Sequence, residues 1–129
     1  MLRPAASLVL LLTVACGGGG SSDRTVTVGG DRVSVARLVD AHAALCEAAA
    51  RPDTARTLFF DRSHEALHTV ARGLEDVDRA QAAELLEAKE KVEADLAAPG
   101  GSLPADLSRL ADVYRASLGR LAITAPPCD

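Results

Sequence analysis

The residues best placed for chemistry in this chain are two histidines four positions apart with a glutamate beside the first, His64-Glu65-Ala66-Leu67-His68. A helix advances 100° and 1.5 Å per residue, which sets His64 and His68 on one side, a turn apart. Two imidazoles held this way can share a transition-metal ion, and a neighbouring carboxylate can take a proton from metal-bound water. His42 is the third histidine of the chain. Zinc or another transition metal is thus the alternative to no cofactor, with His64, His68 and His42 as candidate ligands.

The five residues resemble the zincin signature of zinc metalloproteases, which implies His64 and His68 as ligands and Glu65 as general base. The resemblance stops there. Zincins take a third ligand, yet Thr69-Val70-Ala71-Arg72-Gly73-Leu74 holds no further histidine, and Glu84 and Glu87 stand without an accompanying pattern. Zincins also align substrate on a sheet edge, and the strand candidates here all precede the first helix. In an antiparallel helix pair Lys89 falls level with His64, where an ammonium beside Zn²⁺ is unfavourable. Lys89 is expected instead to snorkel or to pair with Asp61 or Glu65. The motif therefore reads as fortuitous and the chain as a non-enzyme. A non-catalytic metal site is the second reading, because His42 comes within about two residues of the height of His64 if their helices are antiparallel about Pro52, with Asp61 nearby. Gly17 to Gly20 is no phosphate loop, as no Gly-Lys-Ser/Thr follows, and no serine sits in a nucleophile elbow.

The N-terminus speaks to location. Arg3 supplies one positive charge, and Ala5 to Ala15 is apolar or small with no charge, the plan of a secretory signal. About 11 residues are too few for a bilayer-spanning helix, which takes about 20. The segment ends in Leu12-Thr13-Val14-Ala15-Cys16, which resembles the lipobox of bacterial lipoproteins, with Thr13 where leucine is commonest. The resemblance implies cleavage between Ala15 and Cys16, a diacylglyceryl group on the Cys16 sulfur, and an N-terminus acylated by a palmitate-class chain. Two or more acyl chains anchor stably, where one binds only marginally. The alternative is an ordinary secretory signal cut near Ala15, with Cys16 a free or disulfide-bonded thiol. Gly17 to Gly20 and Ser21-Ser22 form a flexible tether. The organisation is thus a signal peptide over 1–15, a lipidated cysteine and tether over 16–24, and a folded domain over 25–129.

Removal of residues 1–15 takes out Arg3, so 14 basic residues become 13 against 18 acidic ones, a formal charge of −5. That acidity argues against nucleic acid or anionic headgroups as partners. With Cys16 given to the lipid, the odd count of three cysteines becomes an even pair, Cys46 and Cys128, expected as a disulfide in an oxidising compartment. Closing a loop of about 80 residues contributes about 4 kcal/mol in the chain-entropy description.

Positioning these residues falls to helices. Thr25 to Val28 and Arg32 to Val35 alternate about Gly29-Gly30-Asp31, a possible short hairpin. Helical spacing then buries Val35, Leu38, Val39, His42, Leu45, Cys46 and Ala49 on a first helix over 34–50. A second, over 54–75 with Asp53 as N-cap, turns Phe59, Phe60, Ser63, Ala66, Leu67, Val70, Ala71 and Leu74 inward. Asp78 and Gln81 resemble a capping box opening a third, over 78–97, with Ala82, Leu85, Ala88, Val92 and Leu96 inward and its glutamates solvated. Pro104 opens a fourth, over 104–122, that buries Leu107, Leu110, Val113, Tyr114, Leu118 and Leu121. Short loops make this an all-α antiparallel up-and-down four-helix bundle. Cys46 lies about 18 Å along the first helix, and the six extended residues from Ile123 reach about 20 Å, so the tail can run back to it. The function expected is that of a lipid-anchored module on the extracytoplasmic face of the cell membrane, which binds an envelope protein or ligand or serves a structural role.

Overall fold

The computed structural model describes residues 24–98 and 100–129. The expected signal peptide, the lipidation at Cys16 and the tether up to Asp23 lie outside them. Strand β1 (Thr25–Val28) pairs antiparallel with β2 (Asp31–Ser34), with Val26 opposite Val33. Gly29 and Gly30 take φ of +57° and +84° between them, the positive values that a two-residue hairpin turn demands. Such a hairpin is marginal alone. Here Val28 is buried against Gly73, and Asp31 accepts a 2.8 Å ion pair from Arg72.

Four helical rods follow. Helix α1 (Val35–Ala50) is capped by Ser34, whose hydroxyl accepts from the Arg37 N–H. Rod α2 changes pitch along its length: a 3-10 turn at Pro52–Thr54, an α-turn at Ala55–Leu58, a π-turn at Phe59–Ser63 and a regular helix at His64–Leu74. Helices α3 (Arg79–Ala97) and α4 (Leu103–Arg120) complete the set. The expected bundle is therefore present, with the hairpin ahead of it.

Ion pairs and hydrogen bonds give the helix directions. Arg37 meets Glu65 and Arg62 meets Asp40 across α1 and α2, and Arg56 donates to the Leu96 carbonyl across α2 and α3. Arg120 meets Asp78 and Lys91 meets Asp106 across α3 and α4. In each pair an early residue of one helix faces a late residue of the next, which makes neighbours antiparallel. Helix α4 also packs on α1, so the four enclose one core around Leu38, Leu45, Phe59, Leu67, Leu85 and Leu110, all fully buried. No helix among the described residues is long and apolar enough to cross a membrane.

Three local expectations are corrected. Asp53 does not cap α2: Pro52 starts the rod earlier as a 3-10 turn, and the Thr54 hydroxyl donates to the Arg51 carbonyl. Phe60 is not inward but 43% exposed, because the π-turn carries an extra residue and only Phe59 stays on the buried side. The capping box is half formed: Asp78 accepts from the Gln81 N–H at 3.0 Å, but the Gln81 amide turns across to the Val113 carbonyl and Ser117 hydroxyl on α4.

Gly73 joins the hairpin to the bundle, since a Cβ there would run into Val28 Cγ1. Alanine favours a helix interior by about 1 kcal/mol over glycine. Overpacking of a buried contact costs about 1–3 kcal/mol, more than that gain. Gly73→Ala is therefore expected to destabilise, with a net loss of up to about 2 kcal/mol in denaturant unfolding, and a stabilised variant would show that the hairpin contributes little.

Candidate functional site

The H-E-x-x-H residues start where the π-turn ends. Arg56, Phe60, His64 and His68 follow one another at four-residue steps along α2. The Arg56 guanidinium sits 5.6 Å from the Phe60 ring centre, and the His64 ring packs 5.4 Å from Phe60 and 5.6 Å from buried Phe59. His64 and His68 do come together, their rings edge to face at 4.7 Å. His64 is half-buried and His68 exposed.

Charged side chains from α1 and α3 surround this pair. The Glu65 carboxylate accepts from Arg37 at 2.6 Å, so the would-be general base is held by a cation on α1. Lys89 lies close enough to His68 for its charge to act on the ring. Partial desolvation of the otherwise exposed His68 ring, first, and then Lys89 and His64 hold its imidazole below its ordinary pKa. Lys89 does not pair with Asp61 or Glu65 as expected. It is buried at 5% exposure and pairs with Glu93 one turn along its own helix, the shorter reach for a stem packed among apolar side chains. Glu84 and Glu87 are exposed on α3.

His42 does not join His64 and His68, which corrects the expected convergence of three histidines. Height along α1 matches, but rotation does not. The side of α1 toward α2 is taken by Ala41, whose carbonyl accepts from the buried Ser63 hydroxyl at 2.9 Å. His42 faces α4, where its ring lies nearly parallel to that of Tyr114, 14° and 6.4 Å apart. There it has other company. Among the described residues, one set of three possible metal ligands has its donor atoms within 4.8 Å of one another, and it is His42, Cys46 and Cys128.

This second cluster is built by the chain's last turn. Helix α4 ends where Ile123 N–H reaches back to the Leu118 carbonyl and Ala122 takes φ of +59°, the left-handed stop. The chain then runs extended, with Ile123 and Ala125 buried and the Arg115 guanidinium holding the Ala125 carbonyl at 2.8 Å. That path brings Cys128 to Cys46, Cα atoms 5.4 Å apart and joined by a disulfide. Both ring nitrogens of His42 lie 3.8 Å from Cys46 Sγ. A groove of about 390 Å³ beside the bridge is lined by His42, Cys46, Pro126, Pro127, Cys128 and Asp129. The grouping was open to sequence reading only in part. His42 and Cys46 share a helix face at four-residue spacing, but the third member depends on the tail's path.

The His42 imidazole is held below its ordinary value, by burial first and the nearby Arg115 second, against Asp112 and the Ala111 backbone, which favour the cation. The unfolded chain therefore takes up the proton more readily than the folded one. Stability is full above the unfolded value of about 6.5 and is lost as pH falls below it toward the folded value. Thermal melts should be flat between about pH 7 and about pH 9 and fall as pH drops below about 6.5, with a shallower slope in His42→Gln. An unchanged slope would assign the loss to His68 or to the carboxylates.

Comparison with known protein families, with curated proteins and with solved structures finds no match to the chain.

Proposed function

We propose that the protein is an exported, lipid-anchored lipoprotein of the bacterial envelope whose disulfide-stapled bundle serves as a non-enzymatic binding or structural module. The observation that carries this reading is the lipobox-like run Leu12 to Cys16, followed directly by a glycine and serine tether. Pairing of the two remaining cysteines supports it, because such bonds persist in oxidising compartments. The exposed Arg37–Glu65 ion pair is in keeping with the non-enzymatic part, since it gives Glu65 a partner on α1 without a metal. The anchored domain is acidic, so its partner is an envelope protein or small ligand rather than nucleic acid.

The test is the anchor. Cells fed an alkynyl palmitate analogue should label the wild-type protein at Cys16 and not Cys16→Ala, and the variant should leave the membrane fraction. Label retained in Cys16→Ala, or absent from wild type, overturns the reading.

A further inference from the structure

The geometry points to a zinc site at the disulfide, formed from His42, Cys46 and Cys128 when the bridge is reduced, with the Asp129 carboxylate as fourth ligand. Two thiolates, an imidazole and a carboxylate are a borderline-soft tetrahedral set of the kind zinc takes. The spacing is already close. With Zn–N about 2.0 Å and Zn–S about 2.3 Å, tetrahedral angles place imidazole nitrogen and sulfur about 3.5 Å apart, and His42 lies 3.8 Å from Cys46 Sγ. His42 is 2% exposed and lies beside the Tyr114 ring, so its place is set before an ion arrives. Cys46 Sγ stands midway between the two ring nitrogens, and a turn of the ring from that pose aims one lone pair at the ion. Cys128 is exposed, in a tail held upstream by buried Ile123 and Ala125, and can swing outward once released. Asp129 lines the grooves on both sides of the bridge.

The chemistry requires a dithiol reductant. One of its thiolates attacks the exposed Cys128 sulfur, the bond to Cys46 breaks, and Cys46 leaves as a thiolate with the electron pair. The second thiol of the reductant then displaces Cys128 and closes the reductant's own disulfide, so the protein gains two electrons and the reductant loses two. Zinc binding keeps both cysteines as thiolates and releases their protons to solvent. The oxidised staple and the zinc-filled site are thus alternative fastenings of the tail to α1, chosen by redox state. This holds whether or not Cys16 carries a lipid.

The experiment uses the full chain carrying Cys16→Ser, so that its remaining cysteines are Cys46 and Cys128, reduced with a phosphine and titrated with Co²⁺. The reduced protein should bind one Co²⁺ with thiolate-to-cobalt charge-transfer absorption that Zn²⁺ bleaches, while the oxidised protein shows none. His42→Gln, chosen to keep side-chain volume, should weaken binding on the order of 100-fold. Absence of the band, equal affinity in His42→Gln, or loss of helical circular dichroism on reduction even with zinc present would overturn the site. So would loss of the signal in His64→Ala/His68→Ala, which would place the ion on the other pair.

Discussion

Replacing Cys46 and Cys128 together by serine should lower the stability of the bundle by about 4–5 kcal/mol. The bridge joins residues 82 positions apart, and without it the unfolded chain recovers the entropy of an open loop of that length. The rest of the fold has little to offset the loss. The chain has no tryptophan, two phenylalanines and one tyrosine, and ten of the 26 buried hydrophobic residues among those described are alanines. Domains of this size are stable by roughly 5–15 kcal/mol in all, so the bridge holds a large share of the margin. At about 4–8 °C per kcal/mol, the melting temperature should fall by tens of degrees in a Cys16→Ser background where no thiol can exchange. The tail is the counterweight, since Ile123 and Ala125 are buried and Arg115 holds the Ala125 carbonyl. A loss below about 1 kcal/mol would mean that these contacts already fasten it and that the unfolded state was compact before cross-linking. Zinc should restore part of the loss to the reduced wild-type chain and none to the double serine variant, because only the folded state gathers the ligands.

The helices were legible because their apolar residues recur at 3.6-residue spacing and two of their breaks fall at Pro52 and Pro99-Gly100-Gly101, whereas α4 stops at a left-handed Ala122 before Pro126-Pro127. The disulfide was legible because giving Cys16 to a lipid leaves Cys46 and Cys128 as a pair, and the tail has the reach to join them. The site needed more. Helix heights follow from counting residues, but each residue turns the helix by 100°, so small rotations decide which side chains face one another. His42 and His64 agree in height and face different neighbours. Lys89 was expected opposite Asp61 or Glu65 and found Glu93 nearer. The π-turn left no trace in composition, since Phe59-Phe60 suits either pitch until the burial of Ser63 against Ala41 selects one. The two histidines of the motif thus meet within α2, while His42, matched to them by height, lies beside Tyr114 instead.

Tyr114→Ala should cost about 3–5 kcal/mol, in the range of aromatic truncations in close-packed cores. Tyr114 is fully buried on α4, its hydroxyl donates to the Leu38 carbonyl at 2.7 Å, and its ring lies along His42. The ring and the hydroxyl can be separated. Tyr114→Phe keeps the packing and removes one donor, and the Leu38 carbonyl retains its place in the α1 ladder, so the loss should be near about 1 kcal/mol. Burial also pushes the phenol's ionisation well above its ordinary range, so the folded protein keeps the proton where the unfolded chain would release it. That contribution is complete below the unfolded value of about 10 and is lost as pH rises above it, which Tyr114→Phe should abolish. The two variants also separate fold from site. If Tyr114 only fills space, Tyr114→Phe leaves cobalt affinity of the reduced chain untouched, and the ring alone pre-positions His42. If the hydroxyl fixes α4 against α1, its removal shifts the ring and cobalt affinity falls with stability. Equal stability in Tyr114→Ala and wild type would contradict the packing itself, since Tyr114 is fully buried and hydrogen-bonded from α4 to α1.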